Sequence, residues 1–194
     1  MIHRVSTSKL FTPFQSFDND LMLTLGINTA TIKSTVCLVE DGEVLAEKSW
    51  TENKEAENLI PAIAEMVGDR ELDRILVVSG PGPFTALRVG IVTANTIAKE
   101  KGVELRALKT FELFPGPVLL NGGGLTAISE DEIKPVNEFD GQFYVDLTEK
   151  QLLAANVEIL DHELNFSEIV ARMPGEKIET LPLLPYYVKE PTIT

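Results

Sequence analysis

Two short stretches of this 194-residue chain combine small and hydroxyl residues at spacings that could hold an anion. The first, Gly26-Ile27-Asn28-Thr29-Ala30-Thr31, follows an apolar run. A carboxylate there would bind the metal of a metal–nucleotide complex. Asn28 is neutral, holds a divalent cation more weakly, and suits a side-chain-capped turn. The second, Ser79-Gly80-Pro81-Gly82-Pro83-Phe84-Thr85, joins an apolar run to a helical one, a junction where many α/β proteins bind phosphate. A P-loop needs a lysine and a hydroxyl after its last glycine; that lysine is missing, as is the third glycine of G-x-G-x-x-G. Free N–H groups at a helix start attract anions, but Pro81 and Pro83 remove two donors from the turn. The stretch reads as a stiff helix start, with Asn28, Thr29, Gly80 and Gly82 as a candidate vestigial phosphate turn.

Other chemistries have less support. The two histidines, His3 and His162, have no H-E-x-x-H spacing and no cysteine pair beside them, which argues against a zinc site. There is no G-x-S-x-G elbow. Cys37, inside Thr35-Val36-Cys37-Leu38-Val39, reads as a buried thiol. Gly122-Gly123-Gly124 offers N–H groups for an anion nest and equally suits a flexible loop. No metal or cofactor is expected, with weak nucleotide binding left open.

A formal charge of −13 disfavours independent binding to nucleic acid or an anionic membrane, because both rely on clustered Lys and Arg. No apolar run approaches the roughly 18 residues that cross a bilayer. A lone cysteine and the lack of a secretory apolar stretch point to the cytoplasm.

The elements that must position these residues follow from periodicity. Residues 1–20 show neither period and read as a loose extension. Leu21–Ile27, Ser34–Glu40 and Glu43–Trp50, with Asp41-Gly42 as hairpin turn, read as an antiparallel meander. Ala56, Leu59, Ile60, Ile63, Met66 and Val67 recur at helical spacing, with Pro61 predicting a kink or a late start. Strand Arg74–Ser79, helix Phe84–Lys101 and strand Val103–Leu108 follow, giving βββαβαβ with helices as crossovers between parallel strands. This is an α/β chain whose first lobe, 21–109, has the element order of the ribonuclease-H-like lobe of actin-like ATPases. Beyond Phe114 the chain is loop-rich. A strand at Gln142–Leu147 and short helices near Glu149–Ala154 and Phe166–Met173 predict a shortened second α+β lobe with a C-terminal tail over 110–194.

Helix Phe84–Lys101 is apolar around much of its circumference. At about 100° per residue, Leu87, Ile91, Ala94 and Ala98 form the face for the sheet. Ala86, Val89, Gly90, Thr93 and Ile97 form a second strip, and Arg88, Asn95 and Lys99 a narrow polar stripe. Such a helix is covered on more than one side, and small residues admit another helix axis within about 8 Å. The first helix is the obvious neighbour. The two helices either bury each other or form a docking surface.

The segments LTLGINTAT, NLIPAIAEM, VVSGPGPFTALRVGIVTANTIA with ALKTFEL, and PLLPYYVKEP resemble the TsaB (YeaZ) family of threonylcarbamoyladenosine tRNA-modification proteins, most fully over residues 22 to about 113. The resemblance implies an actin-like fold without independent catalysis. It implies a subunit that partners a TsaD-like threonylcarbamoyl transferase through these two helices, with a TsaE-like ATPase joining the assembly and a homodimer open to the isolated chain. The corresponding docking residues are Leu59, Ile60, Ile63, Met66, Ala86, Val89, Gly90, Thr93 and Ile97. Asn28 stands where the family commonly has aspartate, Glu57 and Asn58 where it has a histidine, and Ala86 where it has glycine; these departures argue against nucleotide or metal binding. Two enzyme readings compete. An actin-like kinase or ATPase is opposed by Asn28 and the missing lysine, and a glycoprotease-like peptidase by the missing histidine pair.

Overall fold

Strands β1 (Leu23–Asn28) and β2 (Ser34–Glu40) are buried at every position except Glu40, which demands cover on both faces of the sheet they form. The computed structural model describes residues 22–51, 54–121, 125–129, 133–135, 142–146 and 164–187. The extension 1–20, the triple glycine 122–124, the helix expected near 149–154, His3 and His162 lie outside them.

The main sheet has the order β10-β5-β4-β1-β2-β3, with β3 at Glu43–Trp50, β4 at Arg74–Gly80, β5 at Glu104–Lys109 and β10 at Glu176–Lys177. The β1–β2–β3 meander is antiparallel. β4 and β5 run parallel to β1 and need the crossover helices α1 (Glu55–Val67) and α2 (Phe84–Lys101). The edge strand β3 is mostly exposed. It carries Glu43, Glu47 and Lys48 and a bulge opposite Leu38/Val39, devices that discourage pairing with another chain. Helix α1 runs through Pro61 rather than starting after it; Pro61 lies on the solvent side, where water can serve the Glu57 carbonyl that loses its helical donor. α2 ends at Gly102, φ 67°, a left-handed stop that glycine adopts without strain.

The other face of β1–β3 is covered by α3 (Phe166–Arg172), capped by Asn165, whose Oδ1 accepts the Glu168 N–H at 3.3 Å. Gly26 permits this approach. A Cβ there would lie 2.6 Å from Cys37 Sγ and 2.7 Å from Val170 Cγ2. Helix α3 packs on β1–β3, where Phe166 and Val170 fill the space over Gly26. β10 pairs with β5, and the Tyr186 N–H donates to the Ser79 carbonyl at 2.7 Å, so residues 164–187 return to the main sheet and its helices. What lies between is a smaller sheet of order β8-β7-β6-β9, formed by Val118–Asn121 (β6), Leu125–Ile128 (β7), Ile133–Pro135 (β8) and Tyr144–Asp146 (β9). Val118, Leu120 and Ile128 join the apolar core of the main sheet. Burial pushes the Cys37 thiol up to about 12, which keeps it protonated and unreactive at neutral pH.

Candidate functional site

The turn after β1 is organised by Asn28. Its Oδ1 accepts the Ala30 N–H at 3.0 Å and its Nδ2 donates to Thr31 Oγ1 at 2.7 Å, while Thr31 Oγ1 donates to the Lys33 carbonyl at 3.0 Å. The amide is fully buried and both its ends are used. The turn then packs on the second glycine stretch. A Cβ on Gly82 would lie 2.1 Å from the Ala30 carbonyl oxygen, and a Cβ on Gly90 would lie 2.1 Å from Thr29 Oγ1. Gly80, at φ 109°, has the Tyr186 carbonyl oxygen where its Cβ would be, at 2.4 Å. Thr110 Oγ1 donates to the Pro81 carbonyl at 2.6 Å. Even a methyl group does not fit between the two turns. The two turns thus meet through Ala30 and Gly82, while Thr29 packs on Gly90 of α2 and Gly80 on Tyr186. Thr29 Oγ1 pays for that closeness: it is buried with no hydrogen-bond partner among the described residues.

The same turn reaches the second sheet. The Ile32 N–H donates to Asp146 Oδ1 at 2.9 Å. Burial pushes the Asp146 carboxyl up from 3.8 to about 6, against the Ile32 N–H, which favours the charged form. A carboxyl that binds its proton more tightly in the folded than in the unfolded chain stabilises the fold at low pH, and that contribution is lost as pH rises through about 6. Asp146→Asn keeps the acceptor and removes the buried charge. It is expected to raise stability at pH 8 by up to about 3 kcal/mol, with the gain shrinking towards zero near pH 4. Denaturant titrations of both proteins at the two pH values check this; a gain that does not depend on pH would refute it.

The two crossover helices divide the expected docking residues. Leu59, Ile63 and Met66 of α1 and Ala86, Gly90 and Thr93 of α2 are buried within the chain, so they are core rather than surface. The wheel found the apolar arc but not what covers each part of it: Gly90 meets Thr29, and α1 packs on α2. Ile60 is 54% exposed, and Val89 and Ile97 are half-buried. The Lys48–Glu65 ion pair turns one flank of α1 towards β3, so the opposite flank, with the exposed Ala56, Ile60 and Ala64, borders α2. On α2, Val92 is 62% exposed and shares a side of the helix with Arg88 and Asn95 by i,i+3/i+4 spacing. Exposed apolar and small side chains thus remain on both helices.

The polar stripe of α2 has a use that spacing did not reveal. Asn95 Nδ2 donates to the Leu183 carbonyl at 2.9 Å and its Oδ1 accepts the Leu183 N–H at 2.8 Å. Arg88 Nε donates to the Tyr187 hydroxyl at 2.9 Å and its guanidinium lies 3.8 Å over the Phe84 ring. Phe84 stacks on Tyr187 with centroids 5.3 Å apart. The stripe thus clasps residues 183–187. The only signal for it was an asparagine placed mid-helix, where its propensity is poor.

Among the described residues no cluster of three His, Cys, Asp or Glu side chains is arranged for a metal ion, and no helix is long and apolar enough to cross a membrane.

Residues 44–115 match the family described as TsaD, tRNA N6-adenosine threonylcarbamoyltransferase. Over 97 residues the chain is 26% identical to the tRNA threonylcarbamoyladenosine biosynthesis protein TsaB of Bacillus subtilis (strain 168), covering 47% of this chain and 42% of that protein. It is 35% identical over 98 residues to an uncharacterized protein of Mycobacterium leprae (strain TN), covering 45% of this chain and 27% of that one. The chain thus spans less than half the length of these curated relatives. The structure of YeaZ from Pseudomonas aeruginosa superposes with a TM-score of 0.65 at 15% identity, covering 85% of this chain and 100% of that one, which establishes a shared fold.

Proposed function

We propose that the chain is a member of the TsaB (YeaZ) family and a non-catalytic subunit in the threonylcarbamoyladenosine modification of tRNA, docking on a TsaD-like transferase through the exposed side chains of α1 and α2. The observation that carries this reading is that α1 and α2, which pack on each other, each leave a large apolar side chain exposed, Ile60 at 54% and Val92 at 62%. Large apolar side chains left bare on neighbouring helices are candidates for cover by a partner. The filled contact between the two turns supports the non-catalytic part. A phosphate would have to displace Ala30 from Gly82, and Asn28 offers a metal only a neutral oxygen that already accepts the Ala30 N–H. The acidity of the chain fits a subunit that leaves tRNA to its partners, in the cytoplasm, with a TsaE-like ATPase joining the same assembly. A homodimer on the same face is the form open to the isolated chain.

Co-purification with the cognate TsaD-like protein tests the reading. A stable complex at micromolar concentration is expected, and failure to form one overturns it. The isolated chain is further expected to release phosphate from ATP no faster than a buffer control. Steady turnover that disappears with Thr29→Ala would favour the kinase or ATPase reading instead.

A further inference from the structure

The clasped segment 183–187 is held at both ends and leaves one side chain, Leu184, bare. Leu183 is fixed by Asn95 and Tyr187 by Arg88 and Phe84, and Tyr186 N–H is bonded to Ser79 with Lys109 Nζ 4.7 Å over its ring. Leu184, between these anchors, is 72% exposed. Asn95 and Arg88 lie two helical turns apart on one side of α2, so the segment runs antiparallel to the helix and lays Leu184 along the side that carries Val92, itself 62% exposed. A folded chain gains nothing from ordering a leucine in water, whereas a leucine ordered beforehand loses little entropy when a partner covers it.

Charge narrows the partner. The chain carries −13 overall, and α1 contributes Glu55, Glu57 and Glu65 with no basic residue. α2 is the reverse, with Arg88, Lys99 and Lys101 against Glu100 alone. Arg88 and Lys99 flank Val92 on its own side of the helix, so the exposed Val92–Leu184 ridge has a cationic rim on an acidic protein. Complementary association calls for carboxylates around an apolar anchor.

We infer that the Val92–Leu184 ridge is a second docking element, continuous with the α1–α2 face, that receives an acidic, apolar-centred segment of the transferase subunit. This rests on the reading of the chain as a docking subunit, and three variants separate the two. Leu184→Glu and Lys99→Glu alter exposed side chains of the ridge; Ile60→Asp alters only the helical face. Affinity for the TsaD-like protein is measured by calorimetry at low and high salt with the full chain, alongside thermal melts.

Leu184→Glu and Lys99→Glu are each expected to weaken binding about tenfold with unchanged melting temperature, and Lys99→Glu to flatten the salt dependence. Wild-type affinity for both, with loss for Ile60→Asp, would overturn the ridge and leave the docking face standing. Loss for Leu184→Glu but not for Ile60→Asp would keep the ridge and overturn the helical face. If all three bind as wild type, or the unmodified chain does not bind, both readings fall. Sedimentation at the same concentrations covers the remaining occupant: self-association abolished by Leu184→Glu, with transferase binding intact, would assign the ridge to a second copy and overturn the inference.

Discussion

Gly90→Ala is expected to destabilise the chain by about 3 kcal/mol and lower its melting temperature by roughly 6–12 °C, although alanine in a helix interior ordinarily gains up to about 1 kcal/mol over glycine. The sign is decided by Thr29. The new methyl carbon would sit 2.1 Å from Thr29 Oγ1 and 3.2 Å from both Cβ and Cγ2, so rotating the threonine only exchanges one clash for another. Moving the turn would break the Asn28 bonds to Ala30 and Thr31. A double-mutant cycle isolates the contact. Thr29→Ala removes a buried hydroxyl without a partner and is expected to be neutral or stabilising by about 1 kcal/mol. Combined with Gly90→Ala it should return stability to at least the wild-type value. A Gly90→Ala protein that melts above wild type would show that the turn does not press on the helix.

Ile60→Asp should leave folding intact and weaken association with the TsaD-like partner on the order of 100-fold, close to 3 kcal/mol. Ile60 is more than half exposed, so the free chain tolerates a charge there. In a complex the carboxylate would be stripped of water in an apolar contact. Circular dichroism and calorimetry separate the two effects, and unchanged affinity would remove α1 from the docking face. Thr93, only 8% exposed, is a poor site for the same experiment: a large charged residue there would disturb the packing of α2 before any partner was tested.

The contrast between Ile60 and Thr93 shows where the amino-acid pattern stops being informative. Period-2 and period-3.6 runs located the first five strands and both crossover helices within one or two residues, because local apolar spacing decides which face an element buries. Asn28 also behaved as its residue type suggests, capping a turn. A helical wheel gives direction around an axis but not the identity of the neighbour in that direction, so it grouped the buried Gly90, which meets Thr29, with the half-buried Val89. Contacts such as Asn95 with Leu183, 88 residues apart, leave no periodic trace. The placement of α3 over Gly26 depends on the same kind of distant pairing.

The return of the chain to its first lobe also sets an order of events during synthesis. β1 to β5 and their helices leave the ribosome long before residues 183–187, and the sheet they form can assemble as a unit while translation continues. The Arg88–Asn95 side of α2 is then left without its clasp, Gly80 without Tyr186, and the Gly26 side of the sheet without α3. These long-range closures come last and slowly. A nascent chain therefore exposes the apolar floor beneath α3 to chaperones and to other nascent chains, and the complete outer surface of α2 exists only once the final segment has been delivered.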